Sequence, residues 1–339
     1  MERPGESVRL PRPGRPEAAI LMALFLAHAV ALIVWLRADA VPNGFQNEFH
    51  HLRAAQWSWS LLADGRLGAL LAVLFTDYYP PLLNAQGLIA LTLAPGAEDW
   101  LAATNLVWVA VLLGSTWALA EIVAPRGGVA AAVLVSALPA IVGNARYFEP
   151  NTALAALCTA SVLALACAGS GRRGWLVAGA VGGVALLADR LTAAPILLGA
   201  LGFVLGPLLL GPRTDRATRW TAARRLAWFA LPAAVLILPW FVCWCLRWLP
   251  EIVAQLGGEI TYSGEHTEHR SLADPLTWLY YPLTLVDTQA GLVAGPLALA
   301  GGAWLLVRER SPGARALQGA LAFTVFFISV VLKKQAYYS

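Results

Sequence analysis

A series of long apolar runs fills most of the chain, and this constrains the fold more than any other feature. A helix needs about 20 mostly apolar residues to cross the ~30 Å hydrocarbon layer of a membrane. Candidate spans lie at 17–36, 100–121, 127–143, 151–168, 174–188, 191–210, 227–247, 289–307 and 317–332. Composition agrees. The chain is 58% hydrophobic and 13% charged, with mean hydropathy +0.63, where a soluble domain carries about 25% charged residues. These values exclude a soluble globular domain, a disordered chain and a nucleic-acid binder. The sequence predicts an all-α polytopic membrane protein. Ala27-His28-Ala29 resembles a signal cleavage site, but the apolar run continues to Leu36, which favours an uncleaved signal-anchor. Cys158, Cys167, Cys243 and Cys245 all fall in apolar runs and read as packing residues.

Charge sorts the loops into two sides. Lys and Arg concentrate in cytoplasmic loops. Residues 1–16 form a basic tail with Arg3, Arg9, Arg12 and Arg15, placed inside. The segment 80–94 is apolar but short for a span. If it does not cross, Arg126, the Arg172-Arg173 pair, the arginines at 213–225 and those at 308–315 all fall inside with the tail. If it crosses, all of them move outside. The bias therefore favours a re-entrant or surface-lying helix at 80–94 and about nine crossings. The outer side then collects the loops 37–99, 144–150, 189–190 and 248–288 and the end after 332. It holds four of the five histidines and most of the acids. Chemistry is expected there. Segment 48–62 reads as a helix lying on that surface, with Leu52, Ala55, Trp59 and Leu62 on one face.

Several polar groupings stand out in those outer loops. Asn47-Glu48-Phe49-His50-His51 places a carboxylate beside two imidazoles. It reads as a general base, a metal site or a solvated helix start. Asp77-Tyr78-Tyr79-Pro80-Pro81 reads as a sugar-stacking platform or an interfacial turn, its prolines suited to the first turn of a helix. In the short loop 144–150, Arg146 and Glu149 must sit at the membrane edge, either paired or solvated. Asp189-Arg190 is a self-neutralising hairpin tip or presents Arg190 to an anion. Gly179-x-x-x-Gly183 predicts close helix packing. In the large loop, His266, Glu268, His269 and Arg270 could hold a divalent metal or an anion, or form an ordinary polar loop. Lys333 and Lys334 are the only lysines and follow the last span on the outer side, against the inside bias. A lipid-linked phosphate would account for them, as would a simple charged stop.

Taken in order, these segments resemble the dolichyl-phosphate-mannose protein mannosyltransferase and lipid A aminoarabinose transferase group. That group is family 39-like, within the GT-C superfamily of polytopic glycosyltransferases. The likeness runs from about residue 20 to the end. Asn47-Glu48 lies where the family has an Asp-Glu pair after its first span. Tyr79-Pro80-Pro81-Leu82 looks like its Pro-Pro-Leu-Tyr segment, and Ala145 to Pro150 is similar to its Ser-Arg-Tyr-x-Arg-Pro-Asp loop. Leu238-Pro239-Trp240, Glu265-His266 and Trp278 to Tyr281 look like its large loop, and Lys333 to Tyr338 like its Lys-x-x-Arg-Tyr ending. The resemblance implies a GT-C-type bundle over 17–339, with juxtamembrane helices in the first outer loop. It further implies inverting transfer of a sugar from a polyprenyl-phosphate donor to a protein, lipid or glycan acceptor, at the outer face of an inner (plasma) membrane, with no cofactor.

The resemblance also implies roles. Asn47 replaces the family's usual acid, and an amide is a poor proton acceptor, so the base falls to Glu48, with Glu149 assisting. Lys333, Lys334, Arg190, Arg270, Tyr337 and Tyr338 would hold the donor phosphate, Arg190 standing in for a family lysine. Asn47, His50, His51, Asp77, Tyr79, Pro80, Pro81 and Arg146 would contact the acceptor or the sugar, or support the site structurally. The chain stops where family members continue with further spans, so a C-terminal truncation is expected. Two rival readings remain: a transporter or flippase, and a non-catalytic member that binds lipid-linked sugar. A transporter predicts ionisable residues along the spans, where little beyond Glu121 is found. Asn47 is the best support for the non-catalytic reading.

Overall fold

The computed structural model describes residues 9–38, 46–77, 79–212, 214–256, 268–269, 291–308, 312–330 and 333–334. Helices α1 (Arg15–Ala38), α2 (Gln46–Ala63), α3 (Leu67–Thr76) and α4 (Leu82–Leu93) lead into a 3₁₀ turn at Glu98–Thr104. Then come α5 (Asn105–Val123), α6 (Gly128–Ser136), α7 (Pro139–Asn144), α8 (Asn151–Cys167) and α9 (Arg172–Ala188). The chain continues through α10 (Arg190–Leu210), α11 (Arg216–Leu256), α12 (Gly291–Arg308) and α13 (Pro312–Val330). Strands β1 (Glu268–His269) and β2 (Lys333–Lys334) form a small antiparallel pair.

Four helical stretches are long and apolar enough to cross a membrane: Arg15–Ala38, Glu98–Val123, Ala193–Leu210 and Arg216–Trp248. The protein is thus an α-helical membrane protein. The other apolar runs also form helices, of which α8 and α9 have 17 residues each and α13 has 19. The run at 127–143 is interrupted. Leu138 is extended, with ψ 128°, and Pro139 opens a new helix. A residue before proline is pushed out of the helical region, so α6 must stop there. At 12 residues α4 is roughly 18 Å long, too short for the hydrocarbon layer.

Small residues let the helices approach closely. A Cβ added at Gly179 would lie 2.0 Å from the Phe229 carbonyl oxygen, and one at Gly183 would lie 2.9 Å from Ala233 Cα. The Gly179-x-x-x-Gly183 pair therefore seats α11 on α9, as its spacing predicts. Gly199 of α10 and Gly319 of α13 meet in the same way, each occupying the space of the other's absent Cβ. Trp175, Leu201, Leu205 and Phe229 fill the core these helices share. The four cysteines are free thiols, and Cys158 is buried in an apolar cluster, matching the packing role predicted for it.

The short connections 168–171, 189 and 211–215 turn α8 to α11 back and forth, as short loops between packed helices must. The chain thereby acquires two ends. One carries Arg15, Arg126, Arg172, Arg173 and Arg216. The opposite end carries the loop 144–150, Asp189 and the far end of the α11 span. There Trp248 Nε1 donates to the Thr76 carbonyl at 2.9 Å, tying α11 to the end of α3. Inside the first span, His28 Nε2 meets Ser136 Oγ at 3.0 Å and joins α1 to α6.

Candidate functional site

Helices α2, α3 and α4 form a layer at the second end. Gly65 adopts φ 70° in the turn from α2 to α3, a conformation open to glycine. Asp77 ends α3 in extended conformation, and Pro81 leads α4 at φ −75°, the value its ring imposes. This geometry hands Asp77 and Tyr79 to α2. The Asp77 carboxylate accepts a hydrogen bond from Asn84 Nδ2 at 2.8 Å and lies 3.9 Å from His50 Nε2. The Tyr79 ring packs on both imidazoles, with centroids 5.1 Å from His50 and 4.7 Å from His51.

The adjacent histidines differ in environment. His50 has a half-exposed side chain, and Asp77 raises its pKa against the lowering effect of burial. At 3.9 Å the influence is that of a charge, since a formed N–H···O bond measures about 2.7–3.2 Å. His51 is 2% exposed. Burial first, and the neighbouring His50 second, lower its pKa to about 4, with Asp77 opposing. His51 is therefore a neutral imidazole at pH 7 and His50 the readily protonated one.

The loop 144–150 closes onto this layer. Phe148 is fully buried against Leu52 and Ala55 of α2, Leu83 and Leu91 of α4, and Leu101. Gly87 leaves the space for it, because a Cβ there would lie 2.5 Å from Ala55 Cβ and 2.9 Å from Phe148 Cζ. Asn105 Nδ2 holds the loop backbone through the Tyr147 carbonyl at 2.6 Å. Arg146 stacks over the Trp35 ring at 4.8 Å, and Trp35 meets Tyr147 edge-on at 6.4 Å. Glu149 is 9% exposed, and burial raises its pKa. Asn151 Nδ2 donates to its Oε2 at 3.0 Å.

The predicted site residues therefore divide. His50, His51, Asp77 and Tyr79 come into one cluster, with Pro80 buried beside Tyr79 and Pro81 at the start of α4. The loop of Arg146 and Glu149 is docked on the same layer by Phe148. Glu48 lies three residues before His51 in α2, one turn away on the same stripe, with Asn47 beside it. The side chains of Asn47 and Glu48 lie outside the described residues. So does that of Arg190, whose backbone begins α10 directly after Asp189. His266, Arg270, Tyr337 and Tyr338 also lie outside them. The strand pair sets Glu268 opposite Lys334 and His269 opposite Lys333, joining the large loop to the chain's last segment. Among the described residues no group of three or more His, Cys, Asp or Glu side chains is placed to hold a metal ion.

Sequence reasoning missed the amides that hold the site. Asn84, Asn105 and Asn151 each bind a group named above. Gln86 joins them, accepting from Trp108 Nε1 at 2.6 Å and donating to Thr104 Oγ1. Their signal was present as amides set inside or at the edge of apolar runs, where a polar side chain needs a partner. Trp35 gave no signal beyond that of an interfacial tryptophan. No family model, curated protein or solved structure matches the chain.

Proposed function

We propose that this chain is an inverting glycosyltransferase that moves a sugar from a polyprenyl-phosphate donor to an acceptor hydroxyl at the outer membrane surface. The observation that carries the reading is the docking of three separate stretches, 50–55, 77–84 and 145–151, into one layer through Phe148 and Asp77. These are the segments whose order resembles the GT-C family. In this reading α8, α9, α12, α13 and the broken α6–α7 pair also cross the membrane, giving about nine spans. The N-terminus is cytoplasmic, and the membrane is the inner (plasma) membrane.

The reaction is a single displacement. The acceptor oxygen forms the bond to the anomeric carbon while the bond to the phosphate oxygen breaks. Glu48 takes the acceptor's proton, and polyprenyl phosphate leaves with the electron pair. Glu149, buried and raised in pKa, orients the acceptor. Lys333, Lys334, Arg190, Arg270, Tyr337 and Tyr338 hold the departing phosphate. The lipid tail of the donor explains why chemistry and apolar helices occur in one chain. Transport is less favoured. Glu121 is committed to the α5–α6 turn, accepting from the Gly128 N–H at 2.8 Å and the Arg126 N–H at 3.0 Å, so it does not line a path.

Transfer from a polyprenyl-phosphate sugar by the wild type and by Glu48→Gln tests the proposal. Turnover should fall at least a hundredfold, as general-base catalysis contributes about 10²–10⁴. Undiminished turnover removes Glu48 as base. Donor binding without turnover in the wild type supports the non-catalytic reading, for which Asn47 already speaks.

A further inference from the structure

We propose that the turn between α10 and α11 binds the headgroup of an anionic phospholipid. An open cavity of about 780 Å³ lies there, lined by Leu209 at the end of α10 and by Arg216, Ala217, Arg219, Trp220 and Ala223 of α11. Ala193–Leu210 and Arg216–Trp248 are both long and apolar enough to span, so the turn joining them sits at headgroup depth. The positive-inside bias makes this the cytoplasmic face. The cavity combines two features a phospholipid requires. Leu209, Ala217 and Ala223 supply an apolar wall, while Arg216 and Arg219 supply guanidinium donors whose planar fork matches a phosphate. Basic pockets between spanning helices on this face suit anionic headgroups.

The neighbouring groups fit that occupant. Trp220 is 67% exposed, placed as an interfacial tryptophan beside the cavity. Arg219 Nη2 donates to the Gly211 carbonyl at 3.1 Å, which steadies the guanidinium and uses one of its five donors. Asp215 is the nearby opposing charge. Its Oδ1 accepts the Thr218 N–H at 2.7 Å, so it serves as the cap of α11, and two arginines outweigh it. Leu210, almost fully exposed, continues the apolar surface towards the acyl chains. A free phosphate would use the arginines and leave the apolar wall and Trp220 without a role. This inference is independent of the glycosyltransferase reading, because the site lies at the opposite end of the molecule.

The test uses the full chain in neutral detergent with phosphatidylglycerol and phosphatidylcholine, and native mass spectrometry of the lipid retained. The wild type should retain phosphatidylglycerol preferentially, and the preference should fall by about fivefold for each arginine lost in Arg216→Gln and Arg216→Gln/Arg219→Gln. Trp220→Ala, which leaves the Arg219 bond to Gly211 in place, should also weaken retention. Arg172→Gln/Arg173→Gln removes the same charge from the same end and should leave retention unchanged. An equal loss in that control means diffuse attraction and overturns the proposal. So does displacement of the lipid by inorganic phosphate at matched concentration, or full retention in the folded Arg216→Gln and Trp220→Ala variants.

Discussion

His51 is neutral because it is buried, and its pKa of about 4 sets a direction for acid stability. Below pH 6.5 the unfolded chain takes up a proton that the folded chain refuses. Stability therefore falls as pH drops from about 6.5 to about 4, by at most about 3 kcal/mol from this group. His50 acts in the opposite sense. Its raised pKa adds stability that is complete below 6.5 and lost as pH rises through the folded value. Thermal unfolding followed against pH should show the acid loss reduced in His51→Gln, while His50→Gln should remove the decline in stability as pH rises above about 6.5. An unaltered acid slope in His51→Gln would show that the imidazole is not buried as described. Glu149 allows function to be separated from packing. Glu149→Gln keeps an oxygen for Asn151 and removes a charge that burial disfavours. Unfolding at pH 7 should shift to higher temperature, while in the proposed transfer reaction the loss of an orienting group should lower turnover at least about tenfold. These residues were visible in the sequence as acids and histidines between the apolar runs. That one histidine points inward was not visible, because adjacent helix positions are told apart only by what packs against them.

At the scale of elements, glycines separate close packing from open space. A Cβ at Gly179 meets the Phe229 backbone at 2.0 Å, and backbone cannot yield cheaply. Gly179→Ala should lower stability by about 1–3 kcal/mol, the usual cost of overpacking. At Gly114 in α5 nothing lies within 4 Å of the added Cβ. There Ala should raise stability by up to about 1 kcal/mol, since it forms helix better than Gly. Unfolding midpoints of the two variants in one detergent check the pair, and opposite signs are expected. Gly87→Ala should separate α4 from α2, and Ala55→Gly should partly restore it, because the clash at 2.5 Å is between those two positions. The apolar runs gave most helices within a few residues, since burial in lipid demands long uniform segments. The break at Pro139 was legible in principle from one residue. The role of Gly87 was not, because its partner Phe148 is distant in sequence and no period links them.

The whole molecule turns on one parity question, whether 82–93 crosses the membrane. Leu83 and Leu91, near opposite ends of α4, share one buried cluster with Leu52 and Ala55 of α2, Leu101 and Phe148. This is the packing expected of a helix that lies within the layer. Phe148 fixes the rest of the path. The chain leaves the layer at Leu101, runs through α5, turns at Arg126 and returns through α6 and α7 to Phe148. If α4 stays in the layer, α8 then carries the chain away again and the exposed turn at Ser170 faces the side opposite the exposed Asp64. Charge and packing bear on this question for separate reasons. Arginines avoid the outer face because of how chains are inserted, and Phe148 seeks its cluster because of apolar burial. Labelling decides the matter. With the native cysteines replaced, Asp64→Cys and Ser170→Cys should react with a membrane-impermeant maleimide from opposite sides of sealed vesicles. If both react from the same side, α4 crosses, the arginine loops move outside, and the site at His50 and Asp77 no longer shares a face with the loop of Glu149.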